Sequence, residues 1–135
     1  TRAVLCYLLD AYSEEEGLDA DGQKKTRVLL KLHPRIAPYK AAILPLMKKD
    51  GLPDIARGIA KTFFNEGINV SYDEQQSIGK RYARHDEIGT PYCLTIDHET
   101  LVDKTVTIRD RDTTKQDRIK IDDAISVVRN RIRNS

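Results

Sequence analysis

Two stretches of the chain concentrate side chains suited to recognition chemistry. The first is Ser77-Ile78-Gly79-Lys80-Arg81-Tyr82-Ala83-Arg84-His85-Asp86-Glu87-Ile88-Gly89. On a helix, Lys80 and Arg84 share a face and Arg81 and His85 lie beside them, because residues four apart stand one turn above each other. Ile78, Tyr82 and Ile88 would hold the segment to a core. Such a ridge suits backbone phosphates, and a solvated helix laced with internal ion pairs fits the spacing equally well. The second stretch is Thr107-Ile108-Arg109-Asp110-Arg111-Asp112-Thr113. Alternate arginines on the outward face of a strand form a row of planar donors, suited to phosphates or to the acceptor edges of unstacked bases. Asp110 and Asp112 could hold them in position, and a salt-bridged hairpin satisfies the same pattern.

Signatures of catalysis are missing. The sequence has no GxxxxGK[ST] loop, no GxGxxG and no HExxH. His33, His85 and His98 are scattered, and Cys6 and Cys93 have no metal-like spacing to them, so no metal is expected. Both cysteines sit among apolar neighbours and are expected as buried free thiols in a reducing compartment. The chain by itself is expected to be non-catalytic.

The 135 residues suffice for one compact domain with a hydrophobic core. Charged residues at 33% with aromatics at 6% suit a globular α/β protein and argue against a disordered or membrane chain. No apolar run approaches the roughly 20 residues needed to cross a bilayer, and no signal peptide is visible. A cytoplasmic location is therefore expected. Net charge is +2, but residues 1–23 carry Arg2 against Asp10, Glu14, Glu15, Glu16, Asp19 and Asp21. The part from Lys24 onward is thus basic enough to meet a phosphate backbone.

The elements that must position these residues follow from periodicity. Ala3 to Tyr12 is apolar almost all round and reads as a helix packed against protein on most sides. Acidic residues 13–23 lack periodicity and read as a linker or loop. Val28-Leu29-Leu30 with Leu32, and Ala41 to Leu46, read as strands buried on both faces. Pro53 opens a helix whose stripe is Ile55, Ala56, Ile59, Ala60, Phe63 and Phe64, stopped by Gly67. Val70 to Asp73 is a strand, Ser77 caps a helix from Ile78 to Ile88, and Tyr92 to Ile96 is another buried strand. Thr105 to Arg109 alternates, with Val106 and Ile108 inward. Asp117 to Ile121 returns, with Ile119 and Ile121 inward and Arg118 and Lys120 outward. Asp122 or Asp123 caps a last helix with Ile125, Val128 and Ile132 inward. Strands alternating with helices imply an α/β fold, a mixed sheet covered by helices.

Several motifs in order resemble the anticodon-binding domain of class II aminoacyl-tRNA synthetases, shared by the glycine, histidine, proline and threonine enzymes. They are His33-Pro34, Ala37-Pro38 and Leu44-Pro45-Leu46, then the Ser77–Tyr82 run, Asp86-Glu87-Ile88-Gly89-Thr90-Pro91, and Arg109 to Thr113 with Gln116. The resemblance covers about residues 27–133. The glycine enzymes are resembled most, through SIGKRYARHDEIG, the strand ending Thr95-Ile96-Asp97, and Arg-Asp-Arg-Asp-Thr. Thr1-Arg2 followed by AVLCYLLDAYSEEE resembles the end of the third class II motif. With no initiator methionine, the chain reads as a piece of something longer.

This resemblance implies a mixed sheet of about five strands flanked by about three helices, preceded by a helix left over from a catalytic domain. The expected division is 1–23 as that remnant and linker, and 24–135 as the anticodon-binding domain. It implies a parent ligase that attaches glycine using ATP with magnesium, is a homodimer, and binds ATP in part through Arg2. The isolated chain is expected to bind no cofactor. Its expected partner is the anticodon loop of glycine tRNA, whose last two anticodon positions are cytosines. Arginine can donate to cytosine O2 and N3, and a carboxylate can accept from N4. Arg109, Arg111 and Asp97, with Glu87 and Thr95, are expected to contact bases, and Lys80, Arg81 and Arg84 phosphates. A non-catalytic interaction module of the same fold, of the polymerase accessory subunit type, is the alternative.

Overall fold

The computed structural model describes residues 1–18 and 22–135, apart from the Leu18 side chain. The elements in order are α1 (Arg2–Ala11), β1 (Tyr12–Leu18), β2 (Lys24–Leu30), β3 (Ala41–Pro45), α2 (Leu52–Asn65), β4 (Val70–Tyr72), α3 (Ile78–Glu87), β5 (Tyr92–Ile96), α4 (His98–Asp103), β6 (Thr105–Asp110), β7 (Gln116–Lys120) and α5 (Ile121–Arg133). Five strands form a mixed sheet in the order β4-β3-β5-β6-β7. β3 runs parallel to β4 and β5, while β6 is antiparallel to β5 and β7. The expected α/β class and five-stranded mixed sheet are therefore present.

Apolar patterning explains the layers. Every residue of β3 and β5 is buried, as continuous apolar strands require when both sheet faces are covered. On one face Ala41, Ile43, Leu94, Ile96, Val106 and Ile108 meet Ala56, Ile59 and Phe63 of α2 and Ala124 and Val128 of α5. On the other, Ala42, Leu44 and Cys93 pack against Ile78 and Tyr82 of α3. α3 covers that face over β3, β5 and the Arg109 end of β6. β7 is largely exposed, so Thr105 and Thr107 of β6 and the outward residues of β7 meet solvent instead of a helix. This half-open face is where the fold leaves room for a ligand.

Several expectations are corrected. The acidic stretch expected as a loop contains β1, paired antiparallel with β2 from Tyr12↔Leu30 to Leu18↔Lys24. The glutamates tolerate a strand because it is an exposed ribbon with lysines and Arg27 opposite. Residues 19–21 of that stretch lie outside the described residues. β2, expected to be buried on both faces, pairs with β1 alone and fully buries only Leu29. Phe64 is exposed at the edge of the α2 stripe. The short helix α4 carries no apolar period and was not foreseen; Asp97 starts it through a capping box with Thr100. The N-cap of α5 is Lys120, and Asp122 and Asp123 occupy its first turn, where the helix dipole favours them. Cys6 is exposed on α1 and only Cys93 is a buried thiol, pushed up to about 12 by that burial.

α1, expected to be packed against protein on most sides, exposes Val4, Leu5 and Leu9 here and fully buries only Ala11, which joins Leu32 and Ala37 in a small cluster with Tyr7 and Leu30. Among the described residues no helix is long and apolar enough to cross a membrane.

Gly89 closes α3 at φ +83°, a left-handed conformation that L side chains rarely adopt. A Cβ there would stand 2.5 Å from Leu32 Cδ1 and 3.2 Å from the Leu30 carbonyl oxygen. Gly89→Ala should therefore lower stability by more than about 1 kcal/mol. A urea unfolding midpoint equal to that of the unsubstituted chain would contradict this packing.

Candidate nucleic-acid interface

Alternation and register place a set of polar side chains on the open half of the sheet. Thr95 on β5 stands opposite Thr107 on β6, and Thr107 opposite Arg118 on β7. Cys93, Arg109 and Gln116 form the neighbouring row on the same face. The chain leaves β5 at Asp97, so the carboxylate sits at the strand's C-terminal end, where open α/β sheets hold their ligands. Leu46, Ile78, Tyr82, Thr95, Asp97, Thr107 and Gln116 line a cavity of about 270 Å³ there.

Electrostatics in this cleft are set by Arg118, which pairs with Asp97 and, 3.1 Å from its Nε, with Glu99. Arg118 donates from Nη2 to Asp97 Oδ1 at 2.8 Å and from Nη1 to Oδ2 at 2.9 Å. It also donates to Thr105 Oγ1 at 2.7 Å and Thr107 Oγ1 at 3.2 Å, which lays the guanidinium across the sheet face. Asp97 further accepts from the Thr100 backbone N–H at 3.2 Å. Chiefly through Arg118, and then the Thr100 cap, its carboxyl is held down at about 2. Asp97 is thus ionised at any physiological pH and acts only as an acceptor. Tyr82 and Thr95 share a hydroxyl hydrogen bond of 2.6 Å that fixes the floor.

The residues expected to touch RNA separate into two groups. Asp97 and Thr95 line the cleft, although Thr95 is buried and engaged with Tyr82. Glu87 is exposed on α3 and lines a second cavity beside it. Lys80 is exposed and joins no ion pair among the described residues.

Arg109, Arg111 and Arg81 are corrected: all three are buried, at 7%, 2% and 3% exposure. Arg109 does lie on the outward face of β6, but α3 is packed above it. It donates to Asp86 Oδ1 at 3.0 Å and Oδ2 at 3.3 Å, and its guanidinium lies 4.7 Å from the Tyr82 ring centre. Burial opposes its charge, yet the hydrogen bonds and attraction of Asp86 outweigh that and raise its pKa. Arg111 donates to the carbonyls of Gly89 at 2.8 Å and Leu32 at 2.9 Å, and to Asp112. Arg81 donates to the carbonyls of Pro45 at 2.5 Å, Asp73 at 3.3 Å and Leu46 at 3.3 Å, clamping α3 to the end of β3. Arg84 is partly exposed and is held by Asp73 and by Gln76 at 3.2 Å. His85 faces inward beside Asp73, and burial lowers its pKa.

Gln116 and Thr107, which line the cleft, and Arg118, which borders it through Asp97 and Thr107, are residues that sequence reasoning did not single out as site residues. The available signal was the outward phase of β7, the same signal that drew attention to Arg109.

Comparison with known proteins agrees with this architecture. The family described as "Anticodon binding domain" matches residues 40–131. The chain belongs to this anticodon-binding-domain family. Over 134 residues it is 52% identical to glycine–tRNA ligase of Rhodopirellula baltica and 54% identical to that of Borrelia hermsii. Each match takes in 99% of this chain, which spans 25% and 29% of those relatives' length. A prolyl-tRNA synthetase structure from Cryptosporidium parvum superposes with a TM-score of 0.73 at 17% identity, over 88% of this chain and 30% of that one, which shows a shared fold.

Two measurements test the division of roles. Removing Arg109 takes one of two cations from buried Asp86, so Arg109→Ala should cost about 3 kcal/mol in urea unfolding. Unchanged stability would return Arg109 to the candidate RNA contacts. Arg118→Ala should move the Asp97 titration, followed by carboxyl NMR, from about 2 towards the ordinary 3.8. Because the folded pKa is depressed, the stabilisation from this pair is complete above the unfolded value and is lost as pH falls through about 2. In Arg118→Ala that loss should shrink to the part due to the Thr100 cap.

Proposed function

We propose that this domain receives the anticodon loop of glycine tRNA in the open sheet-face cleft, on behalf of a parent glycine–tRNA ligase. The observation that carries the reading is the pairing of Asp97 with Arg118 in a cleft of an anticodon-binding-domain fold. The identities of about half to the glycine enzymes support the choice of tRNA. Cytosine offers an amino donor at N4 and acceptors at N3 and O2. An ionised carboxylate flanked by a guanidinium and the Gln116 amide complements that edge. Guanine and uracil do not present the same order.

In this reading Asp97, Arg118, Gln116 and Thr107 meet bases, Glu87 borders the loop, and Lys80 meets a phosphate, with Arg84 a second candidate once released from Asp73. Arg109, Arg111, Arg81 and Thr95 position those groups without touching RNA. Residues 1–23 belong with the catalytic part of the parent, and 24–135 with the reader. Attachment of glycine with ATP and magnesium is the work of the rest of the parent, a homodimer. Arg2, exposed at the start of α1, is the residue here that bears on ATP.

Binding of a 17-nucleotide anticodon stem-loop, followed by fluorescence anisotropy, tests the proposal. Replacing either anticodon cytosine by uracil should weaken binding by about 1–3 kcal/mol. Asp97→Asn should reduce that preference at one position. Equal affinity for all loops would overturn the assignment. For Lys80→Ala, the slope of log K against log salt should shrink by about 0.7, the value for one single-strand phosphate.

A further inference from the structure

Asp73, which follows β4, is 8% exposed, and its two carboxylate oxygens are engaged differently. Oδ1 accepts from the Gln75 backbone N–H at 2.9 Å. Oδ2 faces two side chains of α3 at once: Arg84, whose Nη1 donates to it, and His85, whose Nε2 lies 3.5 Å away. The two differ in their access to water. The Arg84 side chain is 39% exposed and that of His85 only 2%. His85 Nε2 makes no hydrogen bond among the described residues, and Nδ1 has the Thr90 hydroxyl at 3.5 Å. A buried ring nitrogen without a partner therefore stands beside a carboxylate oxygen that an exposed cation already occupies.

Arg84 is also the cation most easily drawn away. Lys80 stands one helical turn before it on the same face and is exposed. A phosphate met by Lys80 lies within reach of Arg84, whose planar fork suits two phosphate oxygens. Departure of Arg84 would strand the buried Asp73 carboxylate, which is costly unless another cation takes its place. The other charged groups around the ring are already placed. Arg81, on the same helix, donates to the Asp73 carbonyl and not to its carboxylate. Asp86, which also faces the ring, is neutralised by Arg109 of β6 and Arg27 of β2. β3 and β5 bring no charged side chain to α3, and Lys31 after β2 is turned to Glu15. His85 is left as the group that can become a cation. In the free domain burial, helped by the charge of Arg84, outweighs the attraction of Asp73 and keeps its pKa below the ordinary histidine value.

We propose that this domain takes up one proton when it binds an RNA phosphate: Arg84 swings from Asp73 Oδ2 to the phosphate, and His85, protonated from solvent, takes over that oxygen. His85 is then a positioning residue, which touches no RNA and frees the arginine that does. This inference rests on the anticodon-loop reading and gives Arg84 its place in it. The sign follows from linkage. Withdrawal of Arg84 removes a charge that disfavours the imidazolium and leaves the Asp73 carboxylate that favours it, so the His85 pKa rises on binding. Between the free and bound values the complex holds more protons than the free domain, and affinity increases as pH falls across that window. Above the bound value both states carry a neutral ring, and this dependence ends.

The test follows the His85 ring by NMR in the 135-residue chain, free and bound to the anticodon stem-loop, and counts protons by calorimetry in buffers of unequal ionisation enthalpy. The stem-loop should raise the His85 titration, and affinity should gain up to about tenfold per pH unit as pH falls between the two values. Arg84→Gln should raise the His85 titration in the free chain and abolish the RNA-linked proton. His85→Gln should bind with a flat profile across the same window. If His85→Gln fails to fold, the free-chain titration of Arg84→Gln still decides, because an unmoved His85 overturns the proposal. Proton uptake that persists in His85→Gln belongs to another group and overturns it too. A preference for cytosine loops without proton uptake overturns the linkage and leaves the anticodon reading standing. Uptake with equal affinity for cytosine and uracil loops overturns the anticodon reading and keeps the linkage as a property of phosphate binding. Absence of any binding overturns both.

Discussion

The Asp86 carboxylate, buried between Arg109 and Arg27, is the contact on which the rest of the arrangement depends. It joins three elements that share no backbone ladder: α3, which carries Asp86, β6 of the main sheet, and β2 of the ribbon. A carboxylate removed from water is costly unless it is paired, and this one is paired on two sides. The replacement of such a cluster by apolar residues can leave stability intact, so its value lies in fixing geometry as much as in net energy. α3 can satisfy Asp86 in only one position across the sheet. That position leaves the far half of the face uncovered.

From there the open half of the sheet face follows. With α3 reaching no further than Arg109, the other outward side chains of β6 and β7 have no helix to meet, and they are threonine, glutamine, arginine and lysine. Arg118 lies flat among them because Thr105, Thr107 and Asp97 accept its hydrogen bonds. Arg81 and Arg111 serve the margins of the same assembly by filling carbonyls that no strand partner reaches. Buried main-chain acceptors need partners, and an arginine fork can satisfy several at once. Three of the cations that look most like RNA ligands are therefore spent on the protein itself.

Apolar periodicity carried the strands of the main sheet, its three flanking helices and their succession along the chain, because continuous and alternating apolar runs leave few ways to bury themselves. β5 is an example: five residues from Tyr92 to Ile96, all buried, where its run predicts a two-sided strand. Periodicity was silent on β1 and α4. Glu14, Glu15 and Glu16 form a strand by pairing with β2, where Glu15 meets Arg27 and, just beyond the strand, Lys31, contacts between segments that local pattern does not contain. α4 is a six-residue turn started by one cap.

The sequence by itself determined the fold class, the outward phase of Arg109, Thr107 and Arg118, and the resemblance that points to anticodon recognition. Only the tertiary structure decided which outward residues meet water. Arg109 and Arg118 occupy equivalent phases on neighbouring strands, yet one is sealed beneath α3 at 7% exposure while the other remains open beside Asp97. The phase of a strand residue is a local property of the backbone. The cover above it depends on where a helix from elsewhere in the chain comes to rest, and here that is set by a buried carboxylate and the two arginines it requires.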